Sequence, residues 1–167
     1  RSFIYEGKDV KVKFEFERFL HIVQKEAALI KVKATVLKGE AKIDFDSTLD
    51  GTVVNEDSNY DERFWIPLGE NKDTKTIQVK TKPNPYEVPQ FTVLLQESLR
   101  HNGELIQTEA STKEAKLSEK FSVELSEGQS YELEKDVIVI TSRDVEEKDQ
   151  ASVAEDLMNK LQSKSFE

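Results

Sequence analysis

The sequence predicts a mainly β protein, an antiparallel β-sandwich that is followed by one C-terminal helix. Along residues 10–17, Val and Phe alternate with Lys and Glu, the pattern of a strand with one face in water. Glycine, asparagine and proline residues separate such stretches at short intervals, as expected of a sandwich. A helical spacing of apolar residues begins only after Arg143.

The first half of the chain contains four predicted strands in two pairs. Residues 2–6 and 10–20 flank a turn at 6–9, and residues 29–37 and 41–49 flank the tight turn Lys38–Glu40. Ile43 and Phe45 continue the alternation in the fourth strand. Polar and glycine residues at both turns favour reversal of the chain, so we expect antiparallel pairs.

The second half adds five predicted strands, which gives about nine in total. Their ranges are 74–81, 90–101, 104–108, 117–125 and 131–141. Asn102-Gly103 is the strongest hairpin signal, because a type I′ turn needs positive φ at both central residues. The segment 82–89 holds three of the 4 prolines and is predicted to be irregular. The apolar run Val137–Ile140 is typical of a strand that is covered on both faces.

The C-terminal segment is predicted to be an amphipathic helix within residues 149–163. Val153, Leu157 and Leu161 are spaced four apart, which places them on one face. Asp149 or Ser152 could cap this helix, and Ser152 with Glu155 would form a capping box. The helix either packs on its own sheet or links the sandwich to another domain. We therefore divide the chain into a β-sandwich at 1–145 and a helical linker at 146–167.

Composition excludes several classes of protein. With 33 acidic against 24 basic residues, the net charge of −9 argues against binding to nucleic acid, which needs a basic surface. The chain has 0 cysteines, so disulfides and thiolate chemistry are excluded, and a cytoplasmic location is expected. No apolar run approaches the ~20 residues of a membrane span. The chain opens directly in strand-like sequence without Met, so we expect a piece of a longer protein.

The central polar stretch 55–65 follows neither the helical nor the strand period. Its candidate recognition residues are Asn55, Glu56, Asp57, Asn59, Tyr60, Asp61, Arg63 and Trp65. Trp, Tyr and Arg commonly carry binding energy, so the stretch is interpreted as a recognition loop. The alternative is a solvated connection with an aromatic anchor in the core. We expect Phe64 and Trp65 to be buried, and Glu56, Asp57 and Glu62 to be exposed.

No catalytic or metal motif stands out. The alternating Asn55, Asp57 and Asn59 suggest a calcium loop, but the required glycine and glutamate are absent at the later positions. The 2 histidines lie far apart, so no zinc site is predicted. Two carboxylates could cleave a glycosidic bond, but the sequence singles out no pair. Trp65, Tyr60 and Tyr86 could stack on sugar rings, although core packing is the commoner role of such residues.

The run Leu49–Trp65 closely resembles the N-terminal domain of the maltose phosphorylases of glycoside hydrolase family 65. Further similar stretches are Arg1–Phe3, Glu17–Leu20, Lys82–Pro85, Val139–Asp144 and the tail Ser163–Glu167. The resemblance covers essentially the whole chain in order. It implies the later part of a large super-sandwich, a linker helix, and an (α/α)₆ barrel beyond residue 167.

This resemblance implies a cytoplasmic bacterial enzyme as the parent protein. Such enzymes split maltose with inorganic phosphate, with inversion, into β-glucose 1-phosphate and glucose. They form homodimers and need no metal or organic cofactor. Sister enzymes act on trehalose or kojibiose. Because the barrel carries the catalytic residues, no catalytic residue and no metal ligand is expected in this chain, which should be inactive alone.

Two further expectations follow. If the first strands of the family's sandwich precede this chain, a hydrophobic groove should mark their place, with Phe14, Phe16, Phe45 and the 137–140 run at its surface. The isolated chain should then self-associate, because unpaired strand edges and apolar patches favour association. The alternative is that the 167 residues close a complete core of their own, with the family's early strands as a separable layer. The alternative function is an independent carbohydrate-binding or cell-surface sandwich module.

Overall fold

The computed structural model describes residues 1–54, 56 and 63–163. Its strands are β1 (Ser2–Glu6), β2 (Lys11–Leu20), β3 (Ala27–Lys38), β4 (Glu40–Asp50), β5 (Trp65–Asn71), β6 (Thr76–Thr81), β7 (Thr92–His101), β8 (Glu104–Leu105), β9 (Ala110–Lys113), β10 (Lys116–Ser126) and β11 (Ser130–Thr141). A 3₁₀ turn at Glu147–Asp149 precedes one helix, α1 (Gln150–Gln162). The predicted mainly β class with one C-terminal helix is confirmed.

The strands form two sheets, and every described pairing is antiparallel. The large sheet has the order β1-β2-β3-β11-β7-β6-β5, with β8 paired to β7, and the small sheet has the order β4-β10-β9. The long strand β11 lies at the centre of the large sheet and joins the first and second halves of the chain. The predicted sandwich therefore arises from strands that are distant in sequence.

Alternation along each strand sends one set of apolar residues between the sheets. One cluster contains Leu49, Ile77, Leu117 and Val137, with Ala110 beside them. A second interior cluster lies toward the other end of the sandwich, where it contains Val12, Ala34 and Val36. Full burial of such side chains contributes about 1.5–3 kcal/mol each, so the two clusters fix the sheets face to face.

Helix α1 packs on the outer face of the large sheet. Its Ala154, Met158 and Leu161 contact Ile138 and Ile140 of β11. Gln150 begins the helix fully buried, accepting a hydrogen bond from Gln78 (2.8 Å) and donating one to Thr92 (2.9 Å). Of the two alternatives for this helix, packing on its own sheet is therefore observed. It is too short and too polar to cross a membrane.

The structure differs from the sequence prediction in three local features. Strands β5 and β9 were missed: β5 because Pro67 and Gly69 interrupt its alternation, and β9 because it has only 4 residues. The predicted capping box is wrong, since the Asp149 side chain caps nothing and the Ser152 hydroxyl instead donates to the Asp149 carbonyl (3.0 Å). Within the 137–140 run, Val139 is 36 % exposed, so coverage on both faces is incomplete.

Candidate functional site

The central loop leaves the small sheet at Asp50 and enters the large sheet at Trp65. The Asp50 carboxylate accepts hydrogen bonds from the amide (2.8 Å) and the hydroxyl (2.7 Å) of Thr52. The Gly51 amide donates to Ala115 (2.8 Å), and a Cβ at Gly51 would lie 2.6 Å from Val79. The start of the loop is thus pressed against the core, where only glycine fits.

The predicted recognition residues fall partly inside the described region. Glu56 and Arg63 are exposed, as is expected of residues that face a partner. The other five polar candidates, Asn55, Asp57, Asn59, Tyr60 and Asp61, and also Glu62, lie outside the described residues. The hypothesis of a recognition loop therefore stays a prediction.

The aromatic end of the loop is less buried than predicted. Trp65 is half-buried, and its ring meets that of Phe91 edge-on at 5.7 Å. Phe64 is 42 % exposed, so the prediction of its burial was wrong. The reason is the position of β5 at the edge of the large sheet, which offers cover on one side only. The Phe64 carbonyl nevertheless accepts a hydrogen bond from the Lys82 amide (2.8 Å), which ties the loop to β6.

The end of the sandwich that carries this loop is rich in exposed apolar side chains. The antiparallel pairing of β11 with both β3 and β7 brings the connections 21–26 and 82–91 to the same end. Ile22 is 93 % and Tyr86 is 84 % exposed. Exposed apolar side chains that concentrate at one end of a protein commonly mark contact surfaces, so this end is one candidate interface.

A second candidate interface is an open groove between the two sheets. It encloses about 480 Å³, and its apolar lining comes from Phe14, Phe16, Ile30, Val32, Ile43, Phe45 and Leu133. The groove opens because the small sheet ends at β4 while the large sheet continues through β3 and β2 to β1. Phe14, Phe16 and Phe45 thus lie where an apolar groove was expected. The 137–140 run does not, since Ile138 and Ile140 are buried under α1.

The groove continues along the inner face of β1. Phe3 stacks on Phe14 at 5.3 Å and on Phe16 at 5.9 Å between ring centroids. Phe3 remains 46 % exposed despite these contacts. Beyond it, Arg1 and Arg18 border a hollow of about 550 Å³. The groove therefore combines an aromatic floor with cationic side chains at one end.

Buried charges between the sheets were not predicted. Glu97 of β7 is 1 % exposed; it forms an ion pair with Lys135 and accepts a hydrogen bond from Ser47 of β4 (2.9 Å). Burial raises the pKa of Glu97, and the cation and the hydroxyl only partly offset this effect. Glu97 therefore joins the two sheets through polar contacts in an otherwise apolar layer.

A second buried acid lies nearby on β10. Glu119 is 2 % exposed and is paired with Lys75 (2.9 Å), whose ammonium also donates to the Thr108 carbonyl (2.8 Å). Lys75 has a positive φ of 54°, an uncommon conformation for a non-glycine residue. Because both acids are engaged by lysines, their contacts are those of structural ion pairs.

A third charged group lies on the outer face of the large sheet. Arg100 contacts Asp136 (2.8 Å) and Glu134 (3.4 Å), and all three side chains are buried. Burial raises the pKa of Asp136, and Arg100 opposes the shift. The signal in sequence was the presence of Glu97 and Arg100 in a central strand, where charged residues are rare unless paired.

The described residues contain no cluster of three or more His, Asp or Glu side chains that could hold a metal ion. The two acids inside the sandwich are paired with lysines, and both also line a small hollow of about 230 Å³ beside Lys75 and Gln96. Chemically, the described surface therefore offers apolar and aromatic contact areas and strand edges.

Comparison with known proteins gives a consistent result. The family profile described as glycosyl hydrolase family 65, N-terminal domain, matches residues 1–167. The maltose phosphorylase of Bacillus subtilis (strain 168) is 34% identical over 169 residues, covering 100% of this chain and 22% of that protein. The chain thus spans about a fifth of the length of this relative.

A solved structure shows the same fold. A protein described as a kojibiose phosphorylase from the human microbiome superposes with a TM-score of 0.77 at 15% identity. The superposition covers 99% of this chain and 21% of the other. At this level of identity the likeness concerns the arrangement of sheets and helix.

Proposed function

Since the chain belongs to the family described as glycosyl hydrolase family 65, N-terminal domain, we propose that it is the non-catalytic sandwich domain of a maltose phosphorylase-like enzyme. The observation that carries this proposal is the match over residues 1–167, together with 34% identity to the maltose phosphorylase of Bacillus subtilis. The parent enzyme would be a cytoplasmic bacterial protein.

The proposed reaction of the parent is phosphorolysis of maltose. Inorganic phosphate, as co-substrate, displaces glucose from the disaccharide, and inversion at the anomeric carbon gives β-glucose 1-phosphate. The acid and phosphate-binding groups belong to an (α/α)₆ barrel elsewhere in the parent chain, and no metal or organic cofactor takes part. The sandwich would support this barrel and the homodimer.

The two candidate interfaces suggest how the sandwich performs this role. In the first, the end of the sandwich that carries the 55–65 loop lies near the rim of the barrel's active site, and residues 146–167 serve as the link to the barrel. In the second, the open groove receives further strands of the parent beside β4. An added strand would pair with the free edge of β4 and cover Phe16 and Phe45, as in β-augmentation.

The test compares the isolated chain with the full-length parent protein. With maltose and inorganic phosphate, the parent should release glucose 1-phosphate, whereas the isolated chain should release none. Parallel assays with kojibiose and trehalose determine the specificity. Sedimentation of the parent should give a dimer. Maltose-dependent release of glucose 1-phosphate by the isolated chain would overturn the assignment, as would a parent without phosphorylase activity on any of these disaccharides.

A second candidate function, an independent carbohydrate-binding module, rests on one observation. Tyr86 is 84 % exposed in the same end of the sandwich as Phe64 and Trp65, and exposed aromatic rings can stack on sugar faces. Calorimetric titration of the isolated chain with maltose and longer glucans discriminates between the two. Saturable binding that is lost in Tyr86→Ala favours the module, and absence of binding favours the phosphorylase domain.

A further inference from the structure

The hairpin between β7 and β8 combines a reactive dipeptide with a neighbouring histidine. Asn102 and Gly103 form its tip with φ angles of 49° and 82°. We propose that Asn102 is a site of spontaneous deamidation and that His101 slows the reaction by holding the Asn102 carboxamide. This modification goes beyond the proposed function and does not depend on it.

The chemistry needs only the chain and water. The backbone nitrogen of Gly103 attacks the side-chain carbonyl carbon of Asn102, and a succinimide forms as the bond to Nδ2 breaks. Ammonia leaves with the proton from the Gly103 amide. Water then opens the ring at either carbonyl, giving aspartate or isoaspartate. Glycine favours the attack because it has no side chain to shield its nitrogen and rotates freely.

The surroundings of the hairpin tip leave room for Gly103 to rotate toward the Asn102 side chain. Asn102 and Gly103 are exposed, and no atom of the residues that the structure describes lies within 4 Å of the position that a Gly103 Cβ would take. No packing contact therefore prevents the tip from rotating Gly103 toward the Asn102 side chain. The restraint on the reaction comes from the side chain of His101.

His101 is fixed in orientation and in tautomer. Its ring stacks on Tyr131 at 4.0 Å with an interplanar angle of 6°. Its Nδ1 lies 2.9 Å from the Glu132 carbonyl oxygen, which can only accept, so Nδ1 carries the proton. In the neutral ring, Nε2 is then an acceptor, and the Asn102 Nδ2 donates to it at 3.0 Å.

This hydrogen bond opposes cyclisation. The carboxamide must leave His101 before its carbon can approach the Gly103 nitrogen. His101 is thus a positioning residue that stabilises the unreacted amide. Isoaspartate would add an atom to the backbone between His101 and Glu104, which are paired in the hairpin. Either product would add a negative charge to a chain of net charge −9.

The experiment incubates the folded chain at neutral pH and follows the conversion of each asparagine by peptide mass analysis and isoaspartate detection. We expect conversion at Asn102. His101→Phe keeps an aromatic ring against Tyr131 but removes the acceptor, so the rate should rise about two- to tenfold, the factor expected for one net hydrogen bond. His101→Gln restores an acceptor and should return the rate toward that of the wild type.

Two controls make the test decisive. Asn84 precedes Pro85, which has no N–H, so this site should not convert and reports background. Gly103→Ala shields the attacking nitrogen and should slow conversion at Asn102. Circular dichroism verifies that each variant is folded, and if His101→Phe is not, His101→Gln is compared with His101→Ala. Absence of conversion at Asn102, or equal rates with and without the acceptor, overturns the proposal.

Discussion

The two halves of the large sheet differ in how they are covered. Around β11 and β7 the sheet has α1 on one face and the small sheet on the other, and Ile138 is 0 % exposed. Around β1 and the second half of β2 the small sheet gives incomplete cover, and Phe3 and Tyr5 are 46 % and 56 % exposed, whereas Val12 near the start of β2 is still buried against the small sheet. The same alternating pattern therefore produces a closed core in one half and an open apolar surface in the other.

The two edges of this sheet show the same contrast. The β5 edge contains Pro67 and an irregular register between Pro67 and Gly69, features that prevent the addition of another strand. The β1 edge has a regular register from Ser2 to Glu6 and no proline. An edge without protection is typical of a surface that another strand covers, which supports the proposed place of this domain in a larger protein.

The largest expected effect is in the closed half. Ile138→Ala should lower the free energy of unfolding by about 2–5 kcal/mol, because it leaves a cavity between β11 and α1. Urea denaturation measures this change. The matched variant Phe3→Ala in the open half should cost less, since its ring already faces water on one side. Similar losses in the two variants would contradict the distinction between the halves.

The sequence predicted the strands of both halves better than it predicted what covers them. Alternation and turn residues placed β2, β3, β4, β10 and β11 to within a few residues, because burial on one face leaves a period of two. The helix was equally clear from Val153, Leu157 and Leu161. The capping box failed because backbone geometry decides which side chain reaches an amide.

The candidate interfaces were harder to predict. Phe14, Phe16 and Phe45 were identified as groove residues from the expected absence of neighbouring strands, but the 137–140 run was not distinguished from them. The sequence of an apolar run does not indicate which element packs on it, and here Ile138 and Ile140 are covered by α1. The pairing of Glu97 with Lys135 was unpredictable because strands distant in sequence bring these residues together.

The second prediction concerns Lys135, which contacts Glu97 and also lines the open groove. Lys135→Met leaves Glu97 without its cation, and we expect a loss of about 1–3 kcal/mol at neutral pH. This lies below the ~3–5 kcal/mol of fully buried pairs, because the Lys135 side chain is 14% exposed and Glu97 can take up a proton. The loss of stability caused by Lys135→Met should become smaller at acid pH, because Glu97 is then protonated.

The direction of this pH dependence of stability follows from the raised pKa of Glu97. The folded chain holds the proton on the Glu97 carboxyl more tightly than the unfolded chain does. The stability that protonation of Glu97 contributes is therefore fully present below its ordinary pKa of 4.5, and it is lost as the pH rises through the raised pKa of the folded chain. Lys135→Met removes a cation that lowers the pKa of Glu97, so it should raise this pKa further and enlarge the total loss of stability. Urea denaturation across a pH series measures it. Glu97→Gln is the control, whose stability should not share this pH dependence.

The smallest effect on stability is expected for a substitution in the open half. There the main expected effect is on self-association. The isolated chain should self-associate and bind a hydrophobic dye, because no described strand pairs with the outer edge of β1 or covers the groove. Phe3→Ser should reduce both signals and lower the free energy of unfolding by only about 1–2 kcal/mol, because the ring is 46 % exposed although it stacks on Phe14 and Phe16. Light scattering over a concentration series and dye fluorescence provide the measurements.

The matched control is Ile66→Ser on the opposite edge. Ile66 is 37 % exposed, close to the 46 % of Phe3, but it lies on the edge that Pro67 protects. If exposed apolar area alone drives association, both substitutions should reduce it equally. If the unprotected edge and the groove drive it, only Phe3→Ser should do so. A wild-type chain that remains monomeric and binds no dye would show that the open half is closed in solution, because an uncovered groove lined by Phe14, Phe16 and Phe45 could not exclude the dye.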